Sequence, residues 1–261
     1  MRILVLGGTS FVGRAIVEDA LRTGAEVTLF GRGKTGTDLF GDLTRLIGDR
    51  DTGDYAALGA GSWDAVVDAS GYVPRHVDQA VDALGERAGR YLFISSHAVY
   101  QLDGVGPGST EDAPRRPPVR DTEELTNDTY GPLKVACEDD VVARYGTWAT
   151  IHAVGPATPV TLGGVVESCA RAAGTEVEIV AVPLELAPPF FPLVRTNWPS
   201  QQRSPARARV AGMPATALEV TAADVLAWDR QRGEPPLDGG FTPEQEQAVL
   251  AARQPTIPAG D

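Results

Sequence analysis

The stretch Arg2-Ile3-Leu4-Val5-Leu6-Gly7-Gly8-Thr9-Ser10-Phe11-Val12-Gly13 decides how the chain folds. Ile3 to Leu6 is an unbroken apolar run, the pattern of a strand covered on both faces. Gly7 and Gly8 then turn the chain. Beyond them Val12, Ala15, Ile16, Ala20 and Leu21 recur at helical spacing as far as Thr23. A buried strand, a glycine turn and an amphipathic helix make a phosphate cradle. Gly7 permits the turn, small residues let backbone approach a pyrophosphate, and Gly13 lets the helix pack on the strand. The start of the helix offers N–H groups and a positive dipole end to an anion. Gly7, Gly8, Thr9, Ser10, Phe11, Val12 and Gly13 are therefore the first candidate cofactor-binding residues, against the plainer reading of an ordinary strand-to-helix turn.

Working outward, Glu26 to Phe30 reads as a second strand, and Gly31-Arg32-Gly33-Lys34 follows it. An acid after this strand would bind the ribose hydroxyls of NAD, whereas a cation accommodates the 2′-phosphate of NADP. Arg32 and Lys34 stand there with no acid, so NADP is expected over NAD, unless the pair is simply a polar loop. Leu43 to Ile47 is a short third strand, with Asp49 and Arg50 just after it at the cofactor's edge. Asp49 either meets an adenine amino group or caps the turn near Asp54. Ala65 to Gly71 is a fourth strand whose end, Ala69-Ser70-Gly71, is small enough for a cofactor to pass. A helix over Val77 to Ala88 and a fifth strand over Tyr91 to Ser96 come next. This alternation of apolar strands and helices predicts an α/β fold with a Rossmann-type, doubly wound parallel sheet.

The 261 residues carry a formal net charge of −12, with 43% hydrophobic and 22% charged residues. Such an acidic balance disfavours nucleic acid and anionic membrane surfaces, both of which select a basic face. Arg115, Arg116 and Arg120 read as a solvated loop. The initial apolar run is too short for a signal peptide, and no apolar run is long enough to cross a bilayer, so a cytoplasmic protein is expected. Cys137 and Cys169 read as small core residues, and with three histidines there is no metal-ligand pattern.

From His97 to Leu125, glycine and proline exclude regular structure, as in a lid or binding loop. Tyr130-Gly131-Pro132-Leu133-Lys134 then opens a helix that runs to about Tyr145, with Pro132 tolerable in its first turn. Tyr130 and Lys134, four apart, face the same way.

Three motifs in this order, the Gly7–Gly13 turn, Ser95-Ser96-His97-Ala98-Val99-Tyr100 and Tyr130-Gly131-Pro132-Leu133-Lys134, resemble the short-chain dehydrogenase/reductase superfamily. The similarity is to its extended, NAD-dependent epimerase/dehydratase branch, and covers Met1 to about Arg144. The resemblance implies Tyr130 as catalytic acid/base. It implies Lys134 lowering the pKa of Tyr130 and holding the nicotinamide ribose, and Ser96 hydrogen-bonding the reacting carbonyl. It also implies a small-molecule substrate and a homodimer paired through helices beside the Tyr-x-x-x-Lys helix. Hydride exchange on a carbonyl/alcohol pair is the first expectation. An epimerase, dehydratase or cyclase with a retained cofactor, and a non-catalytic relative, are the alternatives.

The second half departs from those relatives. Ser10 and Leu6 replace a usual glycine and threonine. Trp148 to Pro156 and Ala157 to Ala173 look like a late strand and helix arriving early, with well over roughly 30 residues missing between. The expected organisation is a dinucleotide-binding domain over 1–146, a small, truncated C-terminal lobe over 147–253 and a disordered tail over 254–261. In the lobe, Thr161 caps a helix to Ala173, Glu176 to Val182 alternates as a strand, and Pro183 to Pro205 reads as an irregular wall. Thr221 and Asp224 cap a helix to Arg230, and Thr242-Pro243-Glu244-Gln245 is a capping box.

Overall fold

The computed structural model describes residues 1–101, 103, 105–146, 149–186, 202–236 and 241–252. The chain divides into two compact units, Met1–Val105 with Asp112–Thr150, and Gly106–Glu111 with Ile151–Asp261.

The first unit is built on β1 (Arg2–Leu6), β2 (Glu26–Gly31), β3 (Thr44–Ile47), β4 (Ala65–Asp68) and β5 (Tyr91–Phe93). All pairings are parallel, in the order β3-β2-β1-β4-β5. β1 is central, with Val5 beside Leu29 on one side and Val67 on the other. Its apolar run is divided between two cores. Leu4 and Leu6 join Phe30, Leu58 and Leu84 on one face, while Ile3 and Val5 join Val17, Val27 and Leu29 on the other. Sheet burial on both faces is the doubly wound arrangement expected of such strands.

Helix α1 (Phe11–Arg22) supplies Val17 and Ala20 to the second core. Helix α2 (Pro74–Leu84) covers the first, and starts earlier than its apolar spacing suggested because Pro74 sits at the opening position, where its missing N–H is no loss. It also stops earlier, breaking into the 3-10 turn Gly85–Arg87. The β2–β3 connection has no helix. That between β3 and β4 has only the 3-10 turn Ala56–Ala60, and Tyr55, Leu58 and Trp63 fill the face a helix would cover. The fourth and fifth strands end at Asp68 and Phe93, short of Gly71 and Ser96, because Asp68, Ser70 and Ser96 turn to side-chain hydrogen bonds in place of the ladder.

Helix α3 (Tyr130–Tyr145) packs on α2 through Val77, Val81, Cys137 and Val141. The loop before it is strapped down. Arg115 pairs with Glu138 at 3.0 Å and Asp139 at 3.0 Å, and Arg120 with Asp140 at 2.7 Å. Arg115 and Arg120 are exposed, as a solvated loop predicts, and also pair with acids of α3; Arg116 donates to the Asp128 carbonyl.

The second unit contains α4 (Leu162–Ala173), α5 (Ala206–Val210), α6 (Leu218–Gln231) and α7 (Pro243–Ala252). Thr161 accepts from the Gly164 N–H at 3.0 Å as the expected cap. The capping box is reciprocal: the Thr242 N–H donates to Gln245 Oε1 and the Gln245 N–H to Thr242 Oγ1. Other expectations fail. Among the described residues no strand forms over 176–182 or 149–156, and none pairs with them. Helix α6 begins at Leu218 and not at the Thr221/Asp224 pair; the Thr221 hydroxyl donates instead to the Ala217 carbonyl. Cys169 is exposed, and only Cys137 is a core residue. Most of 183–205, and the tail, lie outside the described residues. Among the described residues no helix is long and apolar enough to cross a membrane.

Leu6 is fully buried at the centre of the first core. Leu6→Ala is expected to cost about 2–5 kcal/mol of stability, the usual range for emptying such a site. Urea unfolding of the two proteins checks it.

Candidate active site

Chain order reverses between β1 and β4: β2 and β3 lie on one side of β1, β4 and β5 on the other. At such a switch point the loops leaving the strand ends separate and leave a crevice. Here it is a cleft of about 560 Å³ within the first unit, well inside the size range of small-molecule and cofactor sites.

The glycine turn forms one wall. Gly7 adopts φ +84°, and a Cβ there would lie 2.7 Å from Cβ of Ser70 at the end of β4. A Cβ on Gly13 would run into the Gly7 carbonyl. Both positions therefore need glycine for close approach, and α1 starts within the cleft lining. Ser10 makes no side-chain cap there, and the first turn of α1 contains no acid. That end suits an anion. Phe11 and Val12, 58% and 44% exposed, add an apolar rim.

Of the expected site residues, Gly7 to Gly13, Arg32, Lys34, Asp49, Arg50, Ala69, Ser70, Tyr130 and Lys134 all line this one cleft. Gly71 and Ser96 do not. Gly71 is a packing position, where a Cβ would lie 2.7 Å from Phe93. Ser96 Oγ accepts from the Ala98 N–H at 3.2 Å, capping the 3-10 turn His97–Val99. Ser95 lines the cleft beside it and donates to Glu138. Asp49 closes a small turn: its backbone pairs with Asp54 in both directions and its Oδ1 accepts from the Asp51 N–H.

Lys134 is buried on α3. Its Nζ donates to the Gly71 carbonyl at 2.7 Å and the Ile94 carbonyl at 2.7 Å, and stands 3.9 Å from the centre of the Phe93 ring. It thus ties together the chain leaving β4 and the chain leaving β5, and an ammonium has one further N–H to give. Burial lowers its pKa to about 8, with the nearby Asp68 and Glu138 carboxylates pulling the other way.

Beneath the cleft floor lies a charged network. Asp68, the last residue of β4, is fully buried and accepts from Arg50 at 2.6 and 2.8 Å and from the Tyr91 hydroxyl at 2.7 Å. Arg50 also donates to Ser70 Oγ and to the His76 carbonyl. Burial alone would raise the Asp68 carboxyl, but the Arg50 charge and these hydrogen bonds hold it below the usual carboxylate range. Burial also raises Tyr91 well above a normal phenol, and the Asp68 charge adds to this. So Arg50, expected at the cofactor, is first a counter-ion that fixes the end of β4. Asp68 escaped the sequence reading, although an acid closing an apolar strand is a legible signal. Asp51 and His76, which also line the cleft, were missed too; their side chains come together only through the fold.

No family model matches the chain. Over 127 residues it is 31% identical to the chloroplast stem-loop binding protein of 41 kDa b of Arabidopsis thaliana, covering 43% of this chain and 33% of that protein. The chain thus spans about a third of that relative's length. Among solved structures it is similar to a short-chain dehydrogenase/reductase superfamily protein from Agrobacterium tumefaciens with bound NAD, with 24% identity, a TM-score of 0.44, and coverage of 58% of this chain and 48% of that one. It is also similar to a UDP-Glc/GlcNAc 4-epimerase from Campylobacter jejuni, with 16% identity, a TM-score of 0.44, and coverage of 67% and 63%.

Removing Arg50 strands a buried carboxylate. Arg50→Met is expected to cost about 3–5 kcal/mol in urea unfolding, and a second change, Asp68→Asn, to recover part of the loss. Because the Asp68 pKa is depressed on folding, its contribution is full above the ordinary carboxylate value near 4 and is lost as pH falls through the lower, folded value. In the Arg50→Met/Asp68→Asn protein this part of the acid transition should disappear.

Proposed function

We propose that the chain is an oxidoreductase of the extended short-chain dehydrogenase type, acting with NAD or NADP on a carbonyl/alcohol pair of a small molecule. The observation that supports this is that the glycine turn, Tyr130 and Lys134 line one and the same cleft. The residues fit a dinucleotide. Gly7 and Gly13 leave room that any side chain would fill, and an uncapped helix start without acids suits a pyrophosphate. Arg32 and Lys34 line the same cleft and are the cations that a 2′-phosphate would use.

A nicotinamide bound there supplies hydride exchange with the substrate carbon. The chain's own groups do the rest. Tyr130 moves the proton at the substrate oxygen. Lys134, cationic below its pKa of about 8, offers its remaining N–H to a ribose hydroxyl. Ser96, expected to polarise the carbonyl oxygen, caps the His97–Val99 turn outside the cleft lining, and that role is not assigned to it.

The plant relative is named for binding stem-loops. Two observations speak for a small molecule here instead: the net charge of −12, and the engagement of Arg115 and Arg120 by acids of α3.

Calorimetric titration with NAD(H) and NADP(H), alongside a labelled RNA stem-loop, separates these readings; dinucleotide binding without RNA binding is expected. With a panel of small carbonyls and alcohols followed by nicotinamide absorbance, Tyr130→Phe should lower turnover by about 10²–10⁴-fold with dinucleotide affinity retained. Unchanged turnover would remove the acid/base role.

A further inference from the structure

Resting on the dinucleotide reading of the cleft, we propose that Asp51 is a specificity-determining residue that discriminates against the 2′-phosphate of NADP. The end of β2 carries no acid, and Arg32 and Lys34 alone would invite that phosphate. The fold supplies the missing acid from elsewhere. The chain leaving β3 closes the Asp49–Asp54 turn, held by backbone pairing in both directions. Asp51 sits on that turn, and its Oδ2 lies 3.4 Å from Arg32 NH1. Both residues line the cleft.

The carboxylate does two things there. It neutralises the guanidinium that a 2′-phosphate would use, and it places a negative charge next to where the phosphate would stand. Free ribose hydroxyls lose nothing by this, because a carboxylate accepts hydrogen bonds from them. Arg32 and Asp51 side chains are 51% and 65% exposed, so the ion pair itself adds little stability. Its effect is expected on selectivity.

Asp51 is also positioned from its other side. Oδ1 is 3.5 Å from His76 Nε2, and its carbonyl accepts from Arg75, whose guanidinium is anchored by Glu123 at 2.6 Å. Arg75 holds the Arg50 carbonyl as well, so the turn is tied to α2 by two hydrogen bonds. The signal was invisible in sequence because 19 positions separate Arg32 from Asp51.

The test is the ratio of NADP to NAD affinity, measured by calorimetry on the full chain. Asp51→Asn keeps shape and exposure and removes the charge; it should raise the NADP:NAD ratio by about tenfold or more, as loss of one like charge a few ångströms from the phosphate implies. Asp54→Asn, the same charge removed from outside the cleft, should leave the ratio unmoved. In an Arg32→Met background the Asp51→Asn gain should shrink, since one of its two actions passes through that guanidinium. If both dinucleotides bind and Asp51→Asn leaves their ratio unchanged, or if Asp54→Asn shifts it equally, the inference falls and the cofactor reading stands. If neither dinucleotide binds any of the proteins, both fall together.

Discussion

Four successive apolar residues in β1 cannot be covered from one side. Their side chains alternate, so Leu4 and Leu6 require one apolar layer and Ile3 and Val5 another. Burial on both faces obliges the chain to lay α1 on one face and α2 on the other, and to reverse its direction of travel across the sheet beside β1. The crevice at that reversal is a consequence of the same constraint. Glycines at the β1–α1 turn keep it open to a ligand, because Gly7 meets Ser70 and Gly13 meets the Gly7 carbonyl with no room for a Cβ.

Such a crevice needs its rims fixed, and two buried cations do this from below. Arg50 joins the chain after β3 to the end of β4 through Asp68, and Lys134 joins the ends of β4 and β5 through two carbonyls. Both act as cross-braces at strand ends where ladder hydrogen bonding has stopped. The two differ in chemistry. Arg50 has a full counter-charge, is kept ionised and is structural. Lys134 has only neutral carbonyls and an aromatic face, so burial moves its pKa to about 8, close to the range where a proton can be exchanged. A buried lysine whose hydrogen bonds go to neutral carbonyls costs stability.

The arginines of the loop before α3 show how an acidic protein can contain a basic cluster without a basic surface. Arg115 and Arg120 meet Glu138, Asp139 and Asp140, consecutive acids on α3. A segment rich in glycine and proline is thereby held in place by charge where it has little apolar surface to bury.

The sequence by itself determined the strands and their common parallel sense, the glycine turn, the helix that carries Tyr130 and Lys134, and the capping box at Thr242. Each is written in local spacing: an apolar run, a period of 3.6, or a cap and its partner three residues on. Tertiary structure alone decided what pairs across distance. The short crossovers between β2, β3 and β4 became visible only when Tyr55, Leu58 and Trp63 took the place of a helix. The 176–182 segment alternates like a strand, yet a strand exists only where a neighbour offers its hydrogen bonds. Arg50 lines the cleft, and only the fold showed that it also pairs with Asp68, 18 positions away. Asp51 reached Arg32 in the same way. Local pattern fixes backbone conformation, whereas the charge around a side chain is the sum over everything the fold brings near it.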